Sequence, residues 1–337
     1  MSTSLEVENR DKPIVTVLMS CYNERTYVSQ SIESILKQSL DNFEFIIIND
    51  GSDDGTLDII KKYSEKDERV RVISKKNTGL VHSLNIGIKY AKGEWVARQD
   101  ADDVSEPNRL ELQYEYAKQE GTVLVGSWCI AIGENGKQLR THEYPTKHRG
   151  IVNNLENAKP CFPHSSAFYN KDIAVKLNGY RSQFTYAQDH DLWARMSKEG
   201  RVACLDKYLL RIRKHENTIS KNNFSEQMLL NVANVTCMHE RKLTGTDILE
   251  ENPRCWPNRL DSLQSILERE KIFRTEDVLR RIKEVLYERK KIIRHAMHIC
   301  KSLASIGVVK NITRMIFTSR GLLDNAISKS KSKMEGQ

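Results

Sequence analysis

Between residues 13 and 126 short apolar runs alternate with segments of helical periodicity, and that order leaves few folds open. The runs are IVTVLM (14–19), FEFIII (43–48), VRVI (70–73), EWVA (94–97) and TVLVG (122–126). Short apolar stretches bounded by polar turns read as buried strands. Between them, helical patterns begin near Tyr27, Thr56, Leu80 and Glu106. A β-α-β-α succession predicts an α/β fold with a mainly parallel sheet and helices on both faces. Such sheets bind ligands beyond the carboxyl ends of their strands, so the polar residues directly after the apolar runs are where chemistry is expected.

Beyond Ser220 the strand signals stop. Leu279, Ile282, Leu286, Ile293, Met297, Cys300 and Leu303 recur at helical spacings, and a second stripe of Ile312, Met315, Ile316, Leu322, Leu323 and Ile327 runs between basic residues. The sequence therefore divides into an α/β catalytic domain, residues 1–220, and a helical extension, residues 221–337. Charge divides at the same place. Lys plus Arg balance Asp plus Glu at 31 against 31 in the first part, whereas the second holds 22 against 14, the whole of the net +8. Within 289–333 eleven basic residues meet a single acid, Asp324. Two readings stand for this tail: basic amphipathic helices lying on an anionic membrane surface, or a helical cap with its apolar stripe on the catalytic domain and its lysines in solvent. It has no nucleic-acid-binding motif and no interleaved aromatics beyond Phe317, which argues against nucleic acid as a partner.

The seven cysteines are scattered and never spaced C-x-x-C, which suggests neither a disulfide framework nor a zinc site. The start, MSTSLEVENRDKP, is polar, and no window approaches the roughly 18 apolar residues of a membrane span. The expected location is the cytoplasm, with a peripheral position on the inner face of the cytoplasmic membrane if the tail binds there.

Five polar clusters follow the apolar segments. SCYNE (20–24) comes first and NDGSDDGT (49–56) second, where glycines permit a tight turn and acids sit at a helix start. A plain helix cap explains that turn equally well. The third, RQDADD (98–103), puts three carboxylates within four residues after apolar Trp95, Val96 and Ala97. Mg²⁺ or Mn²⁺ is the economical counter-charge, because such ions take one or two carboxylates and fill the remaining positions with water and phosphate oxygens; a solvated acidic loop is the alternative. The fourth, QDHDLW (188–193), opens a helix with acids at Asp189 and Asp191, either favourable helix-start residues or a general base. The fifth, RIRKH (211–215), is a basic strand end or a cation cluster with an imidazole for phosphate or metal.

Taken together, LMSCYNE (18–24), IIINDGSDDGT (46–56), ARQDADD (97–103) and AQDHDLWARM (187–196) resemble the motifs of family-2 inverting glycosyltransferases of the Rossmann-like GT-A fold, close to bacterial O-antigen and capsular polysaccharide enzymes. The resemblance covers about residues 13–220. It implies a nucleotide pocket lined by Ser20, Tyr22, Glu24, Asp53 and Arg98, with Asp50 on the base. It implies a DxD pair in which Asp102 contacts Mn²⁺ or Mg²⁺ and Asp100 touches ribose or the metal shell, Asp103 being the weaker candidate. Asp189 takes the catalytic-base position, with Asp191 as alternate. Arg213 and His215, in an R-x-H…S segment ending at Ser220, would grip diphosphate or complete the metal shell. His164 and Ser165 would contact acceptor, although a buried histidine is the more ordinary reading there.

Two departures stand out: Gln188, where the family usually carries Glu before the base, and Asn49, where Asp is frequent. A neutral Gln188 removes a like charge that would raise the pKa of Asp189. The implied activity is metal-dependent hexosyl or N-acetylhexosaminyl transfer from a UDP-sugar to a polyprenyl-diphosphate-linked glycan, with inversion. A nucleotide-sugar-binding assembly protein with impaired catalysis is the alternative, with Gln188 as its symptom.

Overall fold

The computed structural model describes residues 12–215 and 224–269. Both stripes of the tail, its basic run and Ser220 lie outside them. The nine strands are β1 (Val15–Cys21), β2 (Phe43–Asn49), β3 (Val70–Ser74), β4 (Trp95–Asp100), β5 (Val104–Ser105), β6 (Thr122–Ile132), β7 (Gln138–His142), β8 (Phe168–Asn170) and β9 (Arg201–Arg213). The helices are α1 (Val28–Leu36), α2 (Thr56–Ser64), α3 (Leu80–Tyr90), α4 (Arg109–Glu120), α5 (His148–Leu155), α6 (Lys171–Lys176), α7 (Gln188–Glu199), α8 (Phe224–Thr244), α9 (Ile248–Glu251) and α10 (Trp256–Arg269). All five apolar runs are strands, and the four helical patterns start within a few residues of where the spacing puts them.

The strands form one sheet in the order β3-β2-β1-β4-β8-β6-β9-β5, with β7 hanging on β6. Strands β1 to β4 are parallel to one another, as is β9 to β6. Strand β8 enters antiparallel between β4 and β6, and β5 and β7 are antiparallel edges. The result is the α/β architecture expected of a GT-A fold, with a parallel half that carries the first three clusters and a mixed half that closes the cleft. The short strands were not legible: β5 and β8 are too brief to show a period, and β9 is interrupted by the exposed Asp206 and Lys207 where its register against β6 shifts.

Both faces of the parallel half are covered, so its strands alternate between two cores rather than between core and water. Leu18, Ile46, Ile48 and Val96 point to the side packed by Leu84 and Ile88 of α3 and by Leu192 and Trp193 of α7. Val17, Met19, Phe45, Ile47 and Ala97 point to the side packed by Ile32 and Ile35 of α1 and Leu110 of α4. A third cluster joins Leu230, Val232, Ala233 and Cys237 of α8 to Leu249, Trp256 and Leu263, and includes Phe184 from the loop before α7, whose ring meets Trp256 edge-on at 5.1 Å. The helices after residue 224 are thus packed onto the loop that leads into α7.

Gly93, in the turn from α3 into β4, donates its N–H to Thr16 Oγ1 at 2.9 Å. A Cβ there would lie 2.5 Å from Thr16 N and 2.6 Å from Val15 C, which are backbone atoms of the central strand and cannot swing aside. Gly93→Ala is expected to cost about 1–3 kcal/mol through overpacking, lowering the thermal midpoint by roughly 2–10 °C; an unchanged melting curve would show that the turn can move off β1.

Candidate active site

The carboxyl end of β4 is organised by arginines buried beneath it. Arg98 is fully buried; it ion-pairs with Asp100 and also donates to Gln99 O. Arg109, equally buried, donates to Arg98 O at 2.6 Å, to Gln99 Oε1 at 2.9 Å and to Ser105 Oγ at 2.8 Å. Burial pushes the Arg109 guanidinium down to about 9. Asp103 turns inward: it accepts from Ser165 Oγ, and from the backbone N–H of Arg213 at 3.0 Å. Burial and then the charges of Asp102 and Asp100 raise its carboxyl well above the usual range. Asp102, between these anchors, faces His215, with Oδ2 to Nε2 at 3.0 Å. Burial and then Asp100 raise its carboxyl as well. For Asp100 burial works in the same direction, but the adjoining Arg98 overrides it and holds the carboxyl low.

The ends of β1 and β2 close over this loop, Ser20 lying in register with Asp100. Asn23, in the left-handed region at φ 58°, accepts from Asp53 N at 3.0 Å and donates its own N–H to Ser52 Oγ at 3.1 Å. Asp54 accepts from Arg25 N at 3.0 Å and Thr56 N at 2.9 Å, while Thr56 Oγ1 accepts from Glu24 N at 2.9 Å. The two turns are therefore laced together, with Tyr22 and Asp53 outward and exposed and Glu24 half-buried. Gly51 has φ 78°, and a Cβ there would meet Asn77 N at 2.7 Å, which is why glycine occupies this turn. Desolvation, then Asp102, Asp100 and Asp54, push the Glu24 carboxyl up to about 8. Acids from three strand ends thus share one desolvated region.

Across from them, α7 begins at Ala187, itself left-handed at φ 60°, and Asp189 lies in its first turn. Asp189 is half-buried and accepts the N–H of His190 at 2.8 Å; the helix N-terminus favours its negative charge. His164, in the short helical turn before β8, meets Tyr180 Oη at 2.9 Å and packs on Trp193. It lies within electrostatic reach of both Asp189 and Asp100, yet burial, followed by Arg98, lowers it to about 4 and leaves it neutral at pH 7. This histidine joins the two halves of the site.

Several residues take places other than those expected. Asp191 is fully buried, with both oxygens held by Arg181 and Arg195. Burial opposes its charge, yet Arg195 and Arg181 keep its carboxyl at about 2, so it is removed as the alternate base. Arg98 is committed to Asp100 and has no surface for a nucleotide. Arg213 is buried, donating through Nε to Asp102 O at 3.0 Å and through Nη1 to Gly133 O at 3.1 Å and Glu134 O at 3.0 Å, with its guanidinium 4.5 Å above the Tyr27 ring. It clamps the acidic loop instead of gripping diphosphate. Ser165 is buried against Asp103 instead of open to an acceptor. Asp50 is buried and accepts from Lys75 Nζ, Thr78 N at 2.9 Å and Gly79 N at 2.9 Å, so it pins the loop before α3. Asn23, Asp54, Thr56, Lys75 and Tyr180 have no role assigned from sequence; Asn23, Asp54 and Thr56 stand in quoted motifs, while Lys75 and Tyr180 carry no local signal.

The topology and the acids gathered at the strand ends define the GT-A fold of glycosyltransferases. Residues 16–177 match the family described as glycosyl transferase family 2. The chain is 35% identical over 215 residues to the O-antigen biosynthesis glycosyltransferase WbnJ of Escherichia coli, covering 62% of this chain and 83% of WbnJ. It is 30% identical over 299 residues to an uncharacterized glycosyltransferase of Haemophilus influenzae, covering 82% of this chain and 85% of that one. Among solved structures, S. aureus TarS 1-349 in complex with UDP-GlcNAc superposes with a TM-score of 0.55 at 20% identity, covering 65% of this chain and 66% of that one, a likeness of fold. The chain belongs to glycosyltransferase family 2.

Because the carboxyl of Glu24 rises from 4.5 to about 8 on folding, the folded protein binds more protons than the unfolded chain between those values. Stability carried by this group is full below about pH 4.5 and is lost as pH rises toward 8. Glu24→Gln is expected to melt at least about 2 °C above the parent at pH 8 and to match it near pH 4.5. Thermal melts across that range check this, and a constant offset at all pH values would contradict it.

Proposed function

We propose that this glycosyltransferase transfers a sugar, with inversion, from a nucleotide diphosphate donor to a hydroxyl of a growing bacterial surface glycan. The observation that carries the reading is the placing of Glu24, Asp100 and Asp102 in one desolvated region where only Asp100 has an arginine ion pair and Asp102 meets the His215 imidazole, together with a half-buried Asp189 at the start of α7. Such a region calls for a divalent ion. Among the described residues no three His, Cys, Asp or Glu side chains form a closed metal site. The Asp102–His215 pair fits a Mn²⁺ or Mg²⁺ that keeps its other positions for water and phosphate oxygens. When bound, the ion supplies positive charge beside the diphosphate leaving group.

The chain's own residues do the rest. Arg98, Arg109 and Arg213 fix the acidic loop from below, so that Asp100 and Asp102 need no rearrangement. Asp189 accepts the proton of the acceptor hydroxyl as its oxygen bonds to the anomeric carbon, while the bond from that carbon to the diphosphate breaks and its electron pair leaves with the nucleotide. The proton ends on the Asp189 carboxyl, and no covalent sugar-enzyme intermediate is required. A neutral His164 beside Asp189 neither competes for that proton nor adds a charge to it.

The UDP donor and the lipid-linked acceptor rest on resemblance: the O-antigen name of the relative WbnJ and the UDP-GlcNAc of TarS. Among the described residues no helix is long and apolar enough to cross a membrane. For a polyprenyl-diphosphate-linked acceptor at a membrane surface, the role of meeting that surface is the one we give to the basic run within 289–333, in an extension that starts at residue 221.

Hydrolysis and transfer across a panel of UDP- and GDP-sugars, with Mn²⁺ and with chelator, test the reading. Chelator is expected to abolish turnover. Asp189→Asn should lower kcat by about 10²–10⁴-fold with UDP affinity nearly unchanged, and full turnover in that variant would remove the base assignment. Asp102→Asn should instead weaken Mn²⁺-dependent UDP binding, measured by calorimetry with and without the ion.

A further inference from the structure

Beneath α7 lies a buried ion network that reaches out of the catalytic half of the chain. Arg181, in the loop before α7, donates through Nε to both oxygens of Asp191, at 3.1 and 2.9 Å, and through Nη1 to both oxygens of Asp247, at 3.0 and 2.9 Å. Its Nη2 bridges the two acids. Arg195 donates to Asp191 Oδ2 from Nε at 3.0 Å and Nη2 at 2.7 Å, and to the carbonyls of Leu177 and Gly179 at 2.8 Å each. Asp247 also caps α9, accepting from Leu249 N at 2.9 Å, and is ion-paired with Arg241 of α8. Asp191 is wholly buried, while Asp247 and Arg241 are 1% and 4% exposed.

Three guanidinium groups are therefore balanced by two carboxylates, one of which belongs to the extension. Asp191 lies two residues beyond Asp189, and its N–H donates to Ala187 O at 3.1 Å, the left-handed residue that starts α7. The same loop is held at Tyr180, whose N–H donates to Asn85 Oδ1 at 2.9 Å and whose hydroxyl meets His164. Whatever fixes Arg181 fixes the entry angle of α7, and with it the direction of the Asp189 carboxylate. Removing one acid from such a network leaves a buried cation unpaired and repelled by its neighbours.

We propose that Asp247 is a positioning residue for sugar transfer: from the helical extension it holds Arg181 against Asp191 and so sets the place of Asp189. The inference rests on the reading of Asp189 as the base. It makes the extension part of the working enzyme, because residues 1–215 alone supply no second carboxylate to Arg181 within the described network.

The test compares full-length variants. Asp247→Asn keeps the shape and removes the charge; kcat for the donor selected by the nucleotide-sugar panel is expected to fall about tenfold or more, with donor KM and UDP affinity within about threefold, because a base displaced by a fraction of an ångström slows the chemical step without touching the nucleotide. Lys242→Met, in the same extension but outside the network, removes a surface charge paired with Glu156 and should leave kcat within about twofold. Asp247→Glu, which retains the charge, should recover most of the loss. If Asp247→Asn does not fold, Arg181→Lys replaces it, since a lysine cannot fork to both acids, and the same split is expected. Equal kcat losses in Lys242→Met and Asp247→Asn, or an Asp247→Asn enzyme with parental kcat, overturn the proposal. Asp189→Asn run in parallel separates the two readings: full activity there overturns the base, and with it the positioning role, whereas a dead Asp189→Asn with a normal Asp247→Asn overturns the positioning role alone.

Discussion

The arrangement of this enzyme turns on desolvated like charge at the carboxyl ends of β1, β2 and β4. Burying Glu24 beside Asp100 and Asp102 raises the free energy of the site: desolvation first, and then the charges of Asp102 and Asp100, push the Glu24 carboxyl up to about 8. A site that repels itself needs an external cation and a rigid frame. On the function proposed above, that cation is a divalent ion held at the Asp102–His215 pair. The frame has to be present beforehand, and it is made of arginine.

Arg98, Arg109 and Arg213 are all nearly inaccessible, and each donates to at least one oxygen of the acidic loop while Arg109 and Arg213 also tie that loop to its neighbours. A planar guanidinium can satisfy several carbonyls at once where a lysine cannot. Asp103 completes the frame from inside: with its carboxyl raised by burial it ties the loop to Ser165 on one side and to the end of β9 on the other. Charge in this protein is thus sorted by depth. Arginines lie beneath, and acids stand at the rim.

Much of this was legible in the sequence, and the part that was not has a physical explanation. The parallel strands announced themselves because both faces are buried, which produces continuous apolar runs such as FEFIII. The acids were legible because a cluster directly after such a run has only solvent or a ligand to face. What could not be read was partnership at a distance. Arg213 reads as a free basic residue in RIRKH, and only the 4.5 Å stack on Tyr27 and the bonds across to residues 102, 133 and 134 show that it is spent. Asp191 stands two residues from Asp189 with the same chemistry, yet one side of the helix faces the cleft and the other faces Arg181 and Arg195. Spacing alone does not tell the two apart when the helix entry itself is left-handed.

That entry is where the two halves of the chain meet. Ala187 adopts a backbone conformation that alanine disfavours, a cost of roughly 1–2 kcal/mol, and it persists because bonds on both sides hold the loop: Asn85 from α3 at Tyr180, Asp191 and Asp247 at Arg181. Phe184, three residues before it, is sunk in the core of α8 to α10. A segment held by a catalytic-domain helix on one side and by the extension on the other responds to motion of either. Helices α8 to α10 are therefore packed on the same loop that leads into the helix carrying Asp189. Any displacement of α8 to α10 is therefore felt at Phe184 and Arg181, and through them at the start of α7.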